Sequence, residues 1–86
     1  MAQNKYSDEE NEELKILSDN ISYYRKKSKK SQKAVAESIG YEKQNYRKIE
    51  KGKQNVSYFL LGKIARATNT TPDKLIENRK KKQPNE

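Results

Sequence analysis

The 86-residue chain is predicted to be all-α, a compact bundle of five helices, and three observations carry that prediction. Apolar residues recur at spacings of three and four along successive segments, the pattern of helices that bury one stripe each. Ser or Thr caps precede four of these segments, and Gly or Asn stops follow most of them. No alternating run rich in Val and Ile is long enough for a strand, and no segment repeats.

The first helix opens at Ser7. Its hydroxyl caps the free N–H groups, Glu10 at N3 completes a capping box, and Asp8, Glu9 and Glu10 oppose the positive end of the helix dipole. Leu14, Leu17, Ile21 and Tyr24 then follow at steps of 3, 4 and 3, carrying the helix to Lys27. Ser31 caps a short second helix with Val35, Ala36 and Ile39 facing inward, and Gly40 ends it in the left-handed conformation. Tyr46 and Ile49 mark the inner side of a third, closed by Gly52. Ser57 caps a fourth, with Leu60, Leu61, Ile64 and Ala65 inward and Asn69 as its stop. Thr71-Pro72-Asp73 supplies a cap, a proline at N1 and an acid at N2 for a last helix that carries Leu75 and Ile76. Residues 1–6 lack apolar periodicity, and 79–86 form a cationic block followed by Pro84. Both ends are expected to be flexible, flanking one domain over 7–78 whose first helix is extended by an acidic start.

Composition narrows the function. Hydrophobic residues are 30% and charged residues 37%, so the core is thin and a deep substrate pocket is not expected. Cys, His and Trp are absent, which removes disulfides, thiolate or imidazole metal sites and catalysis by a His-activated nucleophile. Asp and Glu pairs remain, but without a pocket to raise a pKa they cannot divide into acid and base. The chain is therefore expected to be no enzyme and to use no cofactor or metal. Apolar runs are too short for a membrane span and the amino end is polar and acidic, unlike a signal peptide, so a cytoplasmic location and no membrane partner are expected. Net charge is +8, yet the first thirteen residues hold five acids and only Lys5, leaving +12 on residues 14–86. Such a body attracts polyanions, nucleic acid first among them; charge kept only for solubility is the alternative.

The stretch SQKAVAESIGYEKQNYRKIEKG, residues 31–52, is the informative one. Two short helices joined by Gly40-Tyr41-Glu42 must cross steeply, which exposes the start of the second. This is helix-turn-helix geometry. With Arg25 late in helix one, Ser31-Gln32 opening helix two, Ala36 within it, Gly40 in the turn, Ile49-Glu50-Lys51-Gly52 closing helix three and Thr71-Pro72-Asp73-Lys74-Leu75 opening helix five, residues 14–77 resemble the lambda-repressor-like, Xre/Cro-type family of DNA-binding domains.

The resemblance implies roles. Arg25 and Glu50 would form a structural ion pair, in which a planar guanidinium serves a carboxylate better than Lys can; two separately solvated charges are the rival. Lys43 and Gln44 hold the family's base-reading positions, and Lys48 lies one turn further along the same face. Asn45 and Arg47 suit phosphates. Gln32 matches a phosphate anchor, with Lys33, Lys51, Lys53, Gln54 and Asn55 on its flank. The run Lys26-Lys27-Ser28-Lys29-Lys30 fits either phosphate contact or a solvated loop. Departures from the family stand at Lys30, Tyr46, Gly62 and Thr68, where apolar or aliphatic residues are usual, and in the acidic extension of helix one.

One unit reads too few base pairs to select a genomic site, so a homodimer is expected, with Tyr58, Phe59, Leu61, Leu75 and Ile76 as its surface. The expected function is that of a sequence-specific double-stranded-DNA-binding transcriptional regulator, a repressor that occludes a palindromic operator, with no small-molecule substrate. The alternatives are an antitoxin or adaptor whose main target is a protein partner, and a nonspecific anion binder acting through the Lys-rich tail.

Overall fold

Helix punctuation in the sequence carries over into the computed structural model, which describes residues 6–79. Its helices are α1 (Asp8–Lys27), α2 (Gln32–Ser38), α3 (Lys43–Glu50), α4 (Tyr58–Ala67) and α5 (Pro72–Ile76), with no strand among the described residues. The capping box of α1 is complete: Ser7 Oγ accepts from the Glu10 N–H at 3.1 Å, and Glu10 Oε1 accepts from the Ser7 N–H at 3.0 Å. Ser31 and Ser57 cap α2 and α4 in the same way, accepting from Ala34 and Leu60. Thr71 departs from expectation, because its side chain makes no cap bond. There the fixed φ of Pro72 starts the helix, and the Thr71 carbonyl takes the N–H groups of Lys74 and Leu75.

The first four helices end alike. One residue in the left-handed region follows the last turn, and the next N–H bonds back five residues, from Lys30 to Arg25, Tyr41 to Ala36, Lys53 to Lys48 and Thr70 to Ala65. This double closure satisfies carbonyls that would otherwise be orphaned. Gly40, Gly52 and Asn69 supply the positive φ as expected. In α1 the position falls to Lys29, at φ 60°, with nothing in its chemistry to announce it.

α1 packs against α3, α4 and α5, while α2 packs against α3 and α4. The core joins Ile21, Val35, Ala36, Ile39, Tyr46, Ile49, Leu60, Ile64, Ala65 and Leu75. Two expected positions need correction. Leu75 is fully buried and cannot belong to a dimer surface, whereas its neighbour Ile76, placed on that surface with it, is 61% exposed. Leu61 is only half-buried, packed against the core from its edge.

Polar side chains do work that periodicity does not predict. Buried Asn20 donates to the carbonyls of Leu75 and Glu77 at 2.8 and 2.7 Å, tying the end of α5 to α1. Its Oδ1 accepts from Arg79 Nε at 2.7 Å, and that guanidinium lies 4.0 Å from the centre of the Tyr23 ring. Arg79, expected to begin a flexible tail, is instead held against the folded body. The expectations for residues 1–5 and 80–86 lie outside the described residues. Lys30 replaces the family's apolar residue by donating to the Ala67 carbonyl at the end of α4, and Thr68 turns its hydroxyl back to the Ile64 carbonyl. Among the described residues no helix is long and apolar enough to cross a membrane.

Candidate DNA-binding surface

The turn between α2 and α3 is made by conformation rather than by crowding. Gly40 has φ +77°, and a Cβ there would meet nothing within 4 Å, so the backbone angle alone requires glycine. Ala36 is fully buried where the two helices meet, and a larger side chain would splay them. The chain then enters α3 through Glu42, which gives no side-chain cap. The first turn of α3 also lacks acids, leaving its N–H groups and positive dipole end available to an anionic partner.

α3 divides cleanly by side. Tyr46 and Ile49 are buried, and Lys43, Gln44, Asn45, Arg47 and Lys48 are all exposed. The two proposed base readers stand in the first turn, with Lys48 further along. Lys33 on α2 and Lys51 and Lys53 after α3 are exposed cations. Asn55 is exposed as well, but its Oδ1 accepts the Val56 N–H at 2.8 Å, which leaves its amide N–H groups to face a partner.

What holds this helix in place is a polar hub at its end. Arg25 reaches from α1 with a two-pronged contact, Nε to Glu50 Oε2 at 2.7 Å and Nη2 to Oε1 at 3.1 Å, and its third nitrogen donates to the Lys30 carbonyl at 2.9 Å. Both side chains are largely buried, at 11% and 5% exposure. Gln32 Nε2 donates to Glu50 Oε1 at 3.1 Å, and the Tyr46 hydroxyl donates to Oε2. Burial opposes the charge on Glu50, yet the hydrogen bonds from Arg25, Tyr46 and Gln32 together hold its carboxyl below the ordinary range. Arg25 shifts upward through its hydrogen bond to Glu50, against the cost of burial. The Tyr46 hydroxyl is pushed well above its usual range, first by burial and then by the adjacent carboxylate.

Sequence reasoning placed Arg25 and Glu50 as a pair but missed the other two donors. Tyr46 stands four residues before Glu50 on the same helix, a spacing that brings a long side chain within reach, so its departure from an aliphatic residue has a purpose. Gln32 is the more consequential omission. One amide hydrogen goes to Glu50, which fixes the side chain beside the end of α3.

Residues 21–75 match the helix-turn-helix family model, and the chain belongs to that family, in its lambda-repressor-like branch. Fold and exposed α3 define the class, a double-stranded-DNA-binding regulator of transcription. Among solved structures it is similar to the SOS-response transcriptional repressor LexA of Eubacterium rectale, at 29% identity and a TM-score of 0.74, over 84% of this chain and 77% of that one. The restriction-modification controller protein C.AhdI of Aeromonas hydrophila is 26% identical with a TM-score of 0.68, over 72% of this chain and 94% of that one. A hypothetical transcription factor from Neisseria shares the fold at 19% identity, with a TM-score of 0.75 over 93% and 91% of the two chains. No functionally curated protein is significantly similar to the chain.

Proposed function

We propose that this protein is a transcriptional repressor that binds a palindromic operator as a homodimer and acts by occluding it. The observation that carries the reading is α3 itself: an uncapped, acid-free first turn bearing exposed Lys43 and Gln44, on a helix locked by Glu50 to α1 and α2. A Gln amide can pair with adenine N6 and N7 and a Lys can reach guanine O6 and N7, so both residues have the chemistry to discriminate bases. Lys48 is the third reader. Gln32, Lys33, Asn45, Arg47, Lys51, Lys53 and Asn55 set the register on the phosphates. The similarity in structure to a transcriptional repressor and to a restriction-modification controller protein supports a regulatory role. Exposed Tyr58, Phe59 and Ile76, with half-buried Leu61, support self-association, since large apolar side chains this open seek a cover.

Selection from random duplexes at physiological salt tests the reading, and recovery of a palindrome with half-sites about 34–36 Å apart is expected. On that operator Gln44→Ala should relax preference at one position per half-site. Lys53→Ala should weaken all duplexes alike and lower the log–log salt slope by about one unit. Equal loss across all sequences from both substitutions would refute the assignment of α3 as the reader.

A further inference from the structure

Among the described residues, two surfaces outside α3, the Glu50 hub and the Arg79 anchor complement each other. The first is a groove between the amino-terminal half of α1, the segment entering α4 and the end of α5, lined by Glu10, Glu13, Leu17, Val56, Leu61 and Ile76. Its floor is aliphatic and its α1 wall is acidic. The helix dipole accounts for acids in the first turn only, whereas Glu13 lies beyond it, exposed and without an ion pair among the described residues. The second surface is the outer side of α4. Tyr58 and Phe59 are 79% and 80% exposed and hold each other edge to face at 5.7 Å. Lys63 and Arg66 follow Phe59 at steps of four and three, so all three lie on one face, and both cations are exposed. Between them Gly62 has no Cβ, leaving a low stretch of backbone under the Arg66 guanidinium.

We infer that the acidic groove of one protomer receives the Tyr58, Phe59, Lys63 and Arg66 face of a second copy of this chain, and that the contact is returned across a two-fold axis. The aromatic rings cover the aliphatic floor, and the two cations meet Glu10 and Glu13. Val56 and Leu61 in the groove flank Tyr58 in the sequence, so groove and aromatic face adjoin, as a closed isologous interface requires. The acidic extension of α1 thereby gains a role, supplying the wall that makes this surface complementary to itself. The inference rests on the homodimer proposed above and names its surface; unlike a purely apolar contact, this one weakens with added salt.

Sedimentation equilibrium of the full chain without DNA tests it, using Glu13→Lys, Lys63→Glu and the double variant, with circular dichroism to verify helix content. Each single variant should raise the dimer dissociation constant about tenfold or more by setting like charges opposite each other, and the double should return it to within about threefold of the parent. Unchanged singles, or a double that is not restored, overturn this interface. If dimers survive both singles but are lost in Phe59→Ala, the homodimer stands and the groove is overturned. A chain that stays monomeric at every concentration overturns both, while binding to a single half-site duplex reports separately on α3.

Discussion

The carboxylate of Glu50 takes four hydrogen bonds from three side chains, Arg25, Gln32 and Tyr46, while almost fully removed from water. A buried charge is tolerable only when its lone pairs are answered in this way, and loss of any donor leaves part of it exposed to a low-dielectric interior. The pH dependence follows. Glu50 has a carboxyl pKa below its unfolded value, so its contribution to stability is present above the ordinary carboxylate range and is lost as pH falls through the lower folded value. Tyr46 has the opposite sign: its folded pKa lies above its ordinary 10.0, so stability is intact below that value and declines as pH rises beyond it. Urea midpoints measured from pH 3 to 11 should show both limbs. Glu50→Gln should be less stable at pH 7 and flatten the acid limb, whereas an unaltered acid limb would show that other carboxyl groups dominate it.

At the scale of the helices, two glycines have opposite structural standing. Gly52 ends α3 at φ +72°, and a Cβ there would lie 3.2 Å from Ser18 Oγ and 3.6 Å from the Leu14 carbonyl of α1. Left-handed strain and this close approach coincide, so Gly52→Ala should destabilise by about 1–3 kcal/mol. Gly62 lies inside α4 with ordinary helical φ, and a Cβ would find only Arg66, at 3.8 Å. Replacing it with alanine removes backbone freedom from the unfolded chain, so Gly62→Ala should stabilise by about 0.5–1 kcal/mol, a few degrees in Tm. Thermal unfolding of the two variants checks the pair, and a stabilised Gly52→Ala would contradict the close packing of α3 on α1.

For the whole molecule, the weak point is the short last helix. α5 has five residues, too few to hold themselves, and contributes one fully buried side chain, Leu75. Asn20 compensates by binding the carbonyls of Leu75 and Glu77 from α1 and by positioning Arg79 over Tyr23. Asn20→Ala would strip two carbonyls of their donor and should cost about 2 kcal/mol or more. Hydrogen exchange would register it first in α5, ahead of α2 and α3, and uniform loss of protection would argue against a local role for this clamp.

Helix positions, their serine caps, the stops at Gly40, Gly52 and Asn69 and the outward side of α3 were legible in the sequence because each depends on neighbours within a turn or two of chain. Apolar spacing, side-chain capping and left-handed glycine are local physics. Contacts between segments distant in the chain were not legible from such patterns: Lys30 on the end of α4, Asn20 on the end of α5, Gln32 on Glu50, Arg79 on Tyr23. The Arg25–Glu50 pair was reached only through family resemblance, since spacing alone left it open. The same limit explains why Leu75 and Ile76, adjacent and equally apolar, looked interchangeable. Only the angle at which α5 docks on α1 sends one to complete burial and the other to solvent, and that angle is set by packing between helices distant in sequence.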